Sequence, residues 1–173
     1  MKSKSISLLV CIILVSISLN SYGQKLVKYI FLENKVKVVI PQKFIESQIV
    51  DTNENLEFAK LEKSWFTKKK TASYKAYIFD LNSSSDIVNV TNTLSREFVD
   101  IEGLTPINER KVLINNNKKA GVQEFSDGKT YICVFCAKYT EDKYLFFRFQ
   151  CPEKQKSKYI DGLNESIKTL FVQ

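Results

Sequence analysis

Thr71-Ala72-Ser73-Tyr74-Lys75-Ala76-Tyr77-Ile78-Phe79-Asp80-Leu81 is the stretch whose reading decides the fold. Tyr74, Ala76 and Ile78 alternate with Tyr77, Phe79 and Leu81. Successive residues of a β-strand point to opposite sides, so a strand here carries apolar side chains on both faces and has to be covered on both.

Downstream, Ser83-Ser84-Ser85-Asp86 offers helix N-cap chemistry, and Ile87, Val90, Leu94, Phe98 and Ile101 recur at helical spacing as far as Gly103. The β-branched Val88, Val90, Thr91 and Thr93 lower the intrinsic propensity of this segment, so its stability has to come from packing that stripe onto a sheet. From Ile107 the pattern returns to strands, about 108–114, 119–125, 129–138 and 143–151. The turn sequences Asn115-Asn116-Asn117-Lys118, Ser126-Asp127-Gly128 and Thr140-Glu141-Asp142 separate them, which describes an antiparallel meander. Pro152 then opens a closing helix, roughly 154–171, with Tyr159, Ile160, Leu163, Ile167, Leu170 and Phe171 on one face. Upstream, residues 25–32 and 35–40 read as two strands joined by a tight turn at Glu33-Asn34. Residues 42–70 fit neither period: Phe44, Ile45, Ile49, Leu56, Phe58, Leu61, Trp65 and Phe66 are irregularly spaced, and a loop with one short strand is expected. The fold class expected is α+β, an antiparallel sheet of about six or seven strands with helices on both faces.

The chain begins with a basic start (Lys2, Lys4), an apolar run from Ile6 to Leu19 and a polar exit at Ser21-Tyr22-Gly23. Residues 1–23 therefore read as a secretory signal peptide, with small residues placed for cleavage ahead of Gln24, and residues 24–173 as one domain. The apolar run, interrupted by Ser7, Ser16 and Ser18, falls short of the roughly 20 residues that span a bilayer, so no transmembrane segment is expected after cleavage. A periplasmic or secreted protein follows from this reading.

The 173 residues include no histidine, which removes Ser-His-Asp and Cys-His hydrolases, His-ligated zinc and imidazole pH switches. Only five glycines occur and none forms a phosphate-binding pattern, so no nucleotide cofactor is expected, and no metal. The formal net charge is +7, and loss of Lys2 and Lys4 with the leader leaves +5. Those cations are spread along the chain, and with export this argues against nucleic acid as a partner.

Three cysteines remain beyond the leader: Cys133, Cys136 and Cys151. Cys133-x-x-Cys136 lies inside an alternating run, where positions three apart point to opposite faces, so a redox or zinc role is set aside. Cys133 and Cys151 fall on one face of adjacent strands, and a disulfide between them is the pairing considered, subject to a register that one residue would upset.

The candidate recognition patch is Trp65 and Phe66 beside Lys68, Lys69 and Lys70, because an aromatic next to cations suits an anionic or glycan surface. Its competing reading is a tryptophan packed under a helix. Glu97 with Asp100, and Glu141 with Asp142, are the carboxylate pairs near enough for acid–base work; both read as solvated surface charge.

The run Val36-Lys37-Val38-Val39-Ile40-Pro41 leading to Phe44, the small-residue step Lys119-Ala120-Gly121 entering a strand, the hairpin from Tyr131 to Phe149, and the ending Ile160, Leu163, Ser166, Ile167, Leu170 together resemble the PsbP-like and DcrB-like family. The resemblance implies an antiparallel α/β/α sandwich over most of the chain outside the leader, without catalytic residues among those that match. Fold alone does not set function. The first functional reading is an exported, non-catalytic binding or accessory protein of the cell envelope, whose partner is a protein or another envelope component. The alternatives are a carrier of a lipid or small apolar ligand, suggested by 12 phenylalanines and 8 tyrosines, and a carboxylate-based hydrolase or lyase.

Overall fold

The structure, a computed structural model, describes residues 25–47, 59–81 and 85–173, with the backbone alone at 97–102. The expected signal peptide and the capping residues Ser83 and Ser84 lie outside the described residues. The elements are β1 (Leu26–Phe31), β2 (Val36–Pro41), β3 (Phe44–Glu46), β4 (Ala59–Thr67), β5 (Ser73–Asp80), α1 (Ile87–Glu102), β6 (Thr105–Leu113), β7 (Lys119–Ser126), β8 (Thr130–Lys138), β9 (Lys143–Pro152), a 3-10 turn (Glu153–Gln155), α2 (Lys156–Thr169) and β10 (Phe171–Val172).

Seven strands form one antiparallel sheet in the order β3-β4-β5-β9-β8-β7-β6, and β1-β2-β10 form a second sheet of three. The two-sided reading of β5 holds. Tyr74, Ala76 and Ile78 join Tyr131, Phe135 and Phe147 in a cluster with Val36, Val38 and Ile40 of β2 and Tyr159, Leu163 and Ile167 of α2. Tyr77 and Phe79 join Ile132, Val134 and Phe146 in another cluster, with Val90 and Leu94 of α1. Each such side chain, fully buried, contributes about 1.5–3 kcal/mol, so the double burial of β5, β8 and β9 is the main source of stability. Phe135 and Phe147, on adjacent strands of the first face, stack with centroids 4.7 Å apart.

One layer differs in kind from a simple helical cover. The β1–β2 hairpin turns Val36, Val38 and Ile40 of β2 inward, with Lys37 and Val39 half-buried between them and Pro41 buried at the strand end. A strand pair with one apolar face acts as a lid over a sheet and not as part of its middle, so it packs beside α2. β10 completes this small sheet: Phe171 stands opposite Lys37 and Val172 opposite Val36. The Gln173 amide donates to Lys35 O at 2.9 Å, and Asn116 Nδ2 donates to Val172 O at 2.7 Å.

Within 42–70, expected as a loop with one short strand, the described residues form two strands, β3 and β4, paired antiparallel. β4 carries a register shift between Leu61 and Lys63, and that shift is what hid its alternation. Helix α1 begins where its cap was expected: Asp86 Oδ1 accepts the Val88 amide at 3.0 Å, satisfying a donor at the helix start. α1 lies close on β7 at Gly121, where Thr91 Oγ1, donating to Ile87 O at 2.6 Å, occupies the space a side chain would take. At the far edge of the large sheet, β6 places Pro106, a register shift before Asn108, and the charges of Glu109, Arg110 and Lys111 along an exposed strand, features that blunt an open edge.

Candidate functional site

Alternation along β4 splits the sequence-predicted patch in two. Trp65, opposite Tyr74, points inward and is 0 % exposed, edge-on to Tyr29 at 5.3 Å and Phe31 at 6.1 Å. It is therefore a core residue, packed under the β1 strand, and leaves the recognition patch. Phe66, one residue on, takes the opposite face and is only half-buried. The β4–β5 turn that follows is tied by Thr67: its Oγ1 accepts the amides of Thr71 and Ala72, each at 3.2 Å, and its carbonyl accepts the Lys70 amide at 2.7 Å. Lys70 sits in the left-handed region (φ 53°) to close the turn, and Lys68, Lys69 and Lys70 are all exposed.

Phe66 and Lys70 remain together in a surface cavity of about 330 Å³ that also takes in Lys75, Lys129 and Gln150. Lys129 comes from the β7–β8 turn, so this end of the large sheet gathers cations from two connections that are distant in sequence. A half-buried ring amid these cations can hold an acidic surface by charge and by apolar contact together.

At the opposite end of β8 lies a cavity of about 640 Å³, bounded by the start of α1, the start of β7 and the β8–β9 turn. Lys118, Lys119, Lys138, Tyr139 and Tyr144 meet there. From sequence, Lys118-Lys119 reads only as a solvated turn; nothing local in the chain signals that Lys138, on another strand, shares its site.

The Glu124 carboxylate is 6 % exposed and accepts from Arg110, from Asn108 Nδ2 at 3.1 Å and from Tyr131 Oη at 2.9 Å, with Lys156 Nζ 3.7 Å away. Burial pushes this carboxyl up, but the hydrogen bonds from Arg110, Tyr131 and Asn108 outweigh it and hold the group below the usual glutamate range. Lys156 also lies 4.1 Å from the Tyr131 ring centroid. Of the carboxylate pairs, Glu141 and Asp142 are exposed on the β8–β9 turn, where Asp142 accepts Thr140 Oγ1 at 2.8 Å, and the side chains of Glu97 and Asp100 lie outside the described residues. Among the described residues no group of three or more His, Cys, Asp or Glu side chains is placed to hold a metal ion.

Cys133, Cys136 and Cys151 are all buried free thiols, and the Cys133–Cys151 pairing considered from sequence is not formed. Cys151 stands opposite Tyr131 and Cys133 opposite Phe149, so the two cysteines are diagonal neighbours. Diagonal pairs stand roughly 7 Å apart, too far for the 3.5–4.5 Å between Cβ atoms that a disulfide needs. Burial pushes Cys133 and Cys151 up to about 12 and raises Cys136 as well, so thiolates are scarce at neutral pH. Cys133 belongs to the cluster under α2 and Cys136 to that under α1, diverging as alternation requires.

No family model matches the chain, and no curated protein matches it by sequence. Among solved structures, the chain is similar to cyanobacterial PsbP (CyanoP) from Synechocystis sp. PCC 6803, with a TM-score of 0.64 at 9 % identity over 89 % of this chain and 96 % of that one. It is also similar to a point mutant of the protein Mog1, with a TM-score of 0.59 at 11 % identity over 86 % of this chain and 96 % of that one. The fold is therefore PsbP-like, as the resemblance implies.

Proposed function

We propose that the chain is an exported, non-catalytic binding protein of the cell envelope that holds an acidic partner protein on the cationic end of its large sheet, around Phe66, Lys68, Lys69, Lys70 and Lys129. The observation that carries this reading is the convergence of two turns on one half-buried ring: Lys70 from the β4–β5 turn and Lys129 from the β7–β8 turn flank Phe66 across an open cavity. The proposal takes the architecture as an α/β/α sandwich, in which α1 packs on one face of the large sheet and α2 on the other, leaving this end of the strands free for a partner. Export rests on the leader-like residues 1–23, and among the described residues no helix is long and apolar enough to cross a membrane.

Non-catalytic action is supported by what the ionisable groups are doing. Glu124 is saturated with donors, and the three thiols are suppressed by burial. The lipid-carrier alternative draws less support, because aromatic side chains fill the space between the layers and the cavities described above open to solvent.

The test titrates residues 24–173 with a fluorescent glutamate-rich peptide and, separately, with vesicles of phosphatidylcholine and phosphatidylglycerol. Three exposed ion pairs at about 0.5 kcal/mol each correspond to roughly tenfold in affinity. Lys68→Glu/Lys69→Glu/Lys70→Glu should weaken peptide binding by at least that factor, and added salt should weaken the wild type. Unchanged binding by the triple variant, or wild-type binding to vesicles but not to peptide, would overturn the proposal.

A further inference from the structure

We propose that the cavity at the other end of β8 is a binding site for a small organic anion, a carboxylate, sulfonate or phosphate group carried on an apolar body. Its volume of about 640 Å³ lies within the range of roughly 300–1,000 Å³ typical of small-molecule sites. Ile87 at the start of α1, half-buried, and Tyr144 on the β8–β9 hairpin, buried, supply apolar wall, while Tyr139 lines the rim with its ring turned toward the cluster under α2. Lys118, Lys119 and Lys138 supply the charge.

What these three lysines share is convergence with no described carboxylate at ion-pair distance; Lys119 feels Asp86 only through space. Lys35, Lys60 and Lys143, by contrast, each face a carboxylate, at 3.8, 2.9 and 2.7 Å. Lys118 from the β6–β7 turn, Lys119 from the start of β7 and Lys138 from the end of β8 reach one concavity without such a pair among the described residues. The acid on the wall, Asp86, is already committed: Oδ1 takes the Val88 amide and Oδ2 takes Lys111. α1, 16 residues long, begins at Ile87, so the positive end of its backbone dipole adds to the same field. Like charges gathered beside apolar wall favour a ligand that neutralises them while burying a nonpolar portion; a bare ion would forgo the second contribution and a neutral body the first.

The site is separate from the one proposed for a protein partner. β8 runs from Thr130, in the cavity beside Phe66, to Lys138 here, and its nine residues span roughly 27 Å.

The probe is 8-anilinonaphthalene-1-sulfonate, an aromatic sulfonate whose fluorescence reports binding, titrated into folded residues 24–173. N-phenyl-1-naphthylamine presents the same body without the charge, and inorganic sulfate the charge without the body. Saturable one-to-one binding of the sulfonate is expected, about tenfold tighter than the neutral amine, with no displacement by sulfate at comparable concentration. Lys118→Glu/Lys119→Glu/Lys138→Glu should weaken the sulfonate about tenfold or more with the near-ultraviolet circular dichroism unchanged. If that variant does not fold, Lys118→Gln/Lys119→Gln/Lys138→Gln carries the same expectation. The Lys68→Glu/Lys69→Glu/Lys70→Glu variant, at the other end, should bind the sulfonate as the wild type does. Absence of saturable binding, equal affinity for the neutral amine, insensitivity to the Lys118, Lys119 and Lys138 substitutions, or displacement by sulfate would each overturn the site.

Discussion

Gly121→Ala probes how closely α1 is seated on β7. A Cβ at Gly121 would lie 2.1 Å from Thr91 Oγ1, 2.8 Å from Ile87 O and 2.9 Å from Thr91 Cβ. The Thr91 hydroxyl cannot swing aside freely, because it donates to Ile87 O at 2.6 Å. Ile87 O is backbone, so relief requires α1 itself to lift from the sheet and loosen Val90 and Leu94 from their cluster. Overpacking of this kind costs about 1–3 kcal/mol, and a backbone obstacle belongs in the upper half of that range. The narrower unfolded ensemble of alanine offsets about 0.4–1 kcal/mol, leaving a net loss of about 1–2.5 kcal/mol. For a chain of this size that lowers Tm by roughly 3–8 °C. Urea denaturation and thermal scans on residues 24–173 would measure both quantities. Adding Thr91→Ala should recover only part of the loss, since the contact with Ile87 O persists. A Gly121→Ala protein within about 0.5 kcal/mol of wild type, or full recovery in the double variant, would refute the reasoning.

Trp65→Ala should cost about 3–5 kcal/mol in urea denaturation, whereas Lys68→Ala should stay within about 0.5 kcal/mol; comparable losses would contradict the placement of Trp65 in the core. Glu124→Gln should cost about 1–3 kcal/mol at neutral pH. Because the folded-state value is depressed, the carboxylate's contribution is complete above the unfolded glutamate pKa of about 4.3 and is lost as pH falls through the folded value. The gap between variant and wild type should therefore narrow on acidification, and a pH-independent gap measured by denaturation from neutral to acid would argue against the network. In residues 24–173, three thiols should react with Ellman's reagent in denaturant and react very slowly in the folded protein; an intact mass lower by a hydrogen pair than the reduced chain would reveal a disulfide instead.

What could be read in the chain depended on whether its alternation ran unbroken. β5, β8 and β9 pair without a register shift, so the two-sided apolar pattern in the sequence translates directly into two buried faces. β4 does not: Leu61 and Trp65 share parity in sequence, yet the shift between Leu61 and Lys63 sends Leu61 to the cluster under α1 and Trp65 to the cluster beneath β1. Proximity in sequence also misled at Trp65-Phe66, because neighbouring strand residues face opposite ways; only Phe66 stays with Lys70. Shared face was legible for Cys133 and Cys151, whereas the two-residue offset was set by the strand pairing and was not. β10 went unseen because Phe171 continues the apolar stripe of α2 and two residues carry no period of their own. The cluster of Lys118, Lys119 and Lys138 was invisible for a different reason: it exists only once β7 and β8 are side by side.

The three-stranded sheet joins residues from near the beginning of the folded region to its last strand, with Val36 beside Val172. This lid has no latch until β10 pairs with β2, and β10 follows every strand of the larger sheet in the sequence. Tyr159, Leu163 and Ile167, which seal the same face, also arrive late. A chain in which β10 has not yet reached β2 therefore exposes the broad aromatic surface beneath, so closure of the small sheet, more than formation of any one strand of the large one, sets when the protein becomes safe from aggregation.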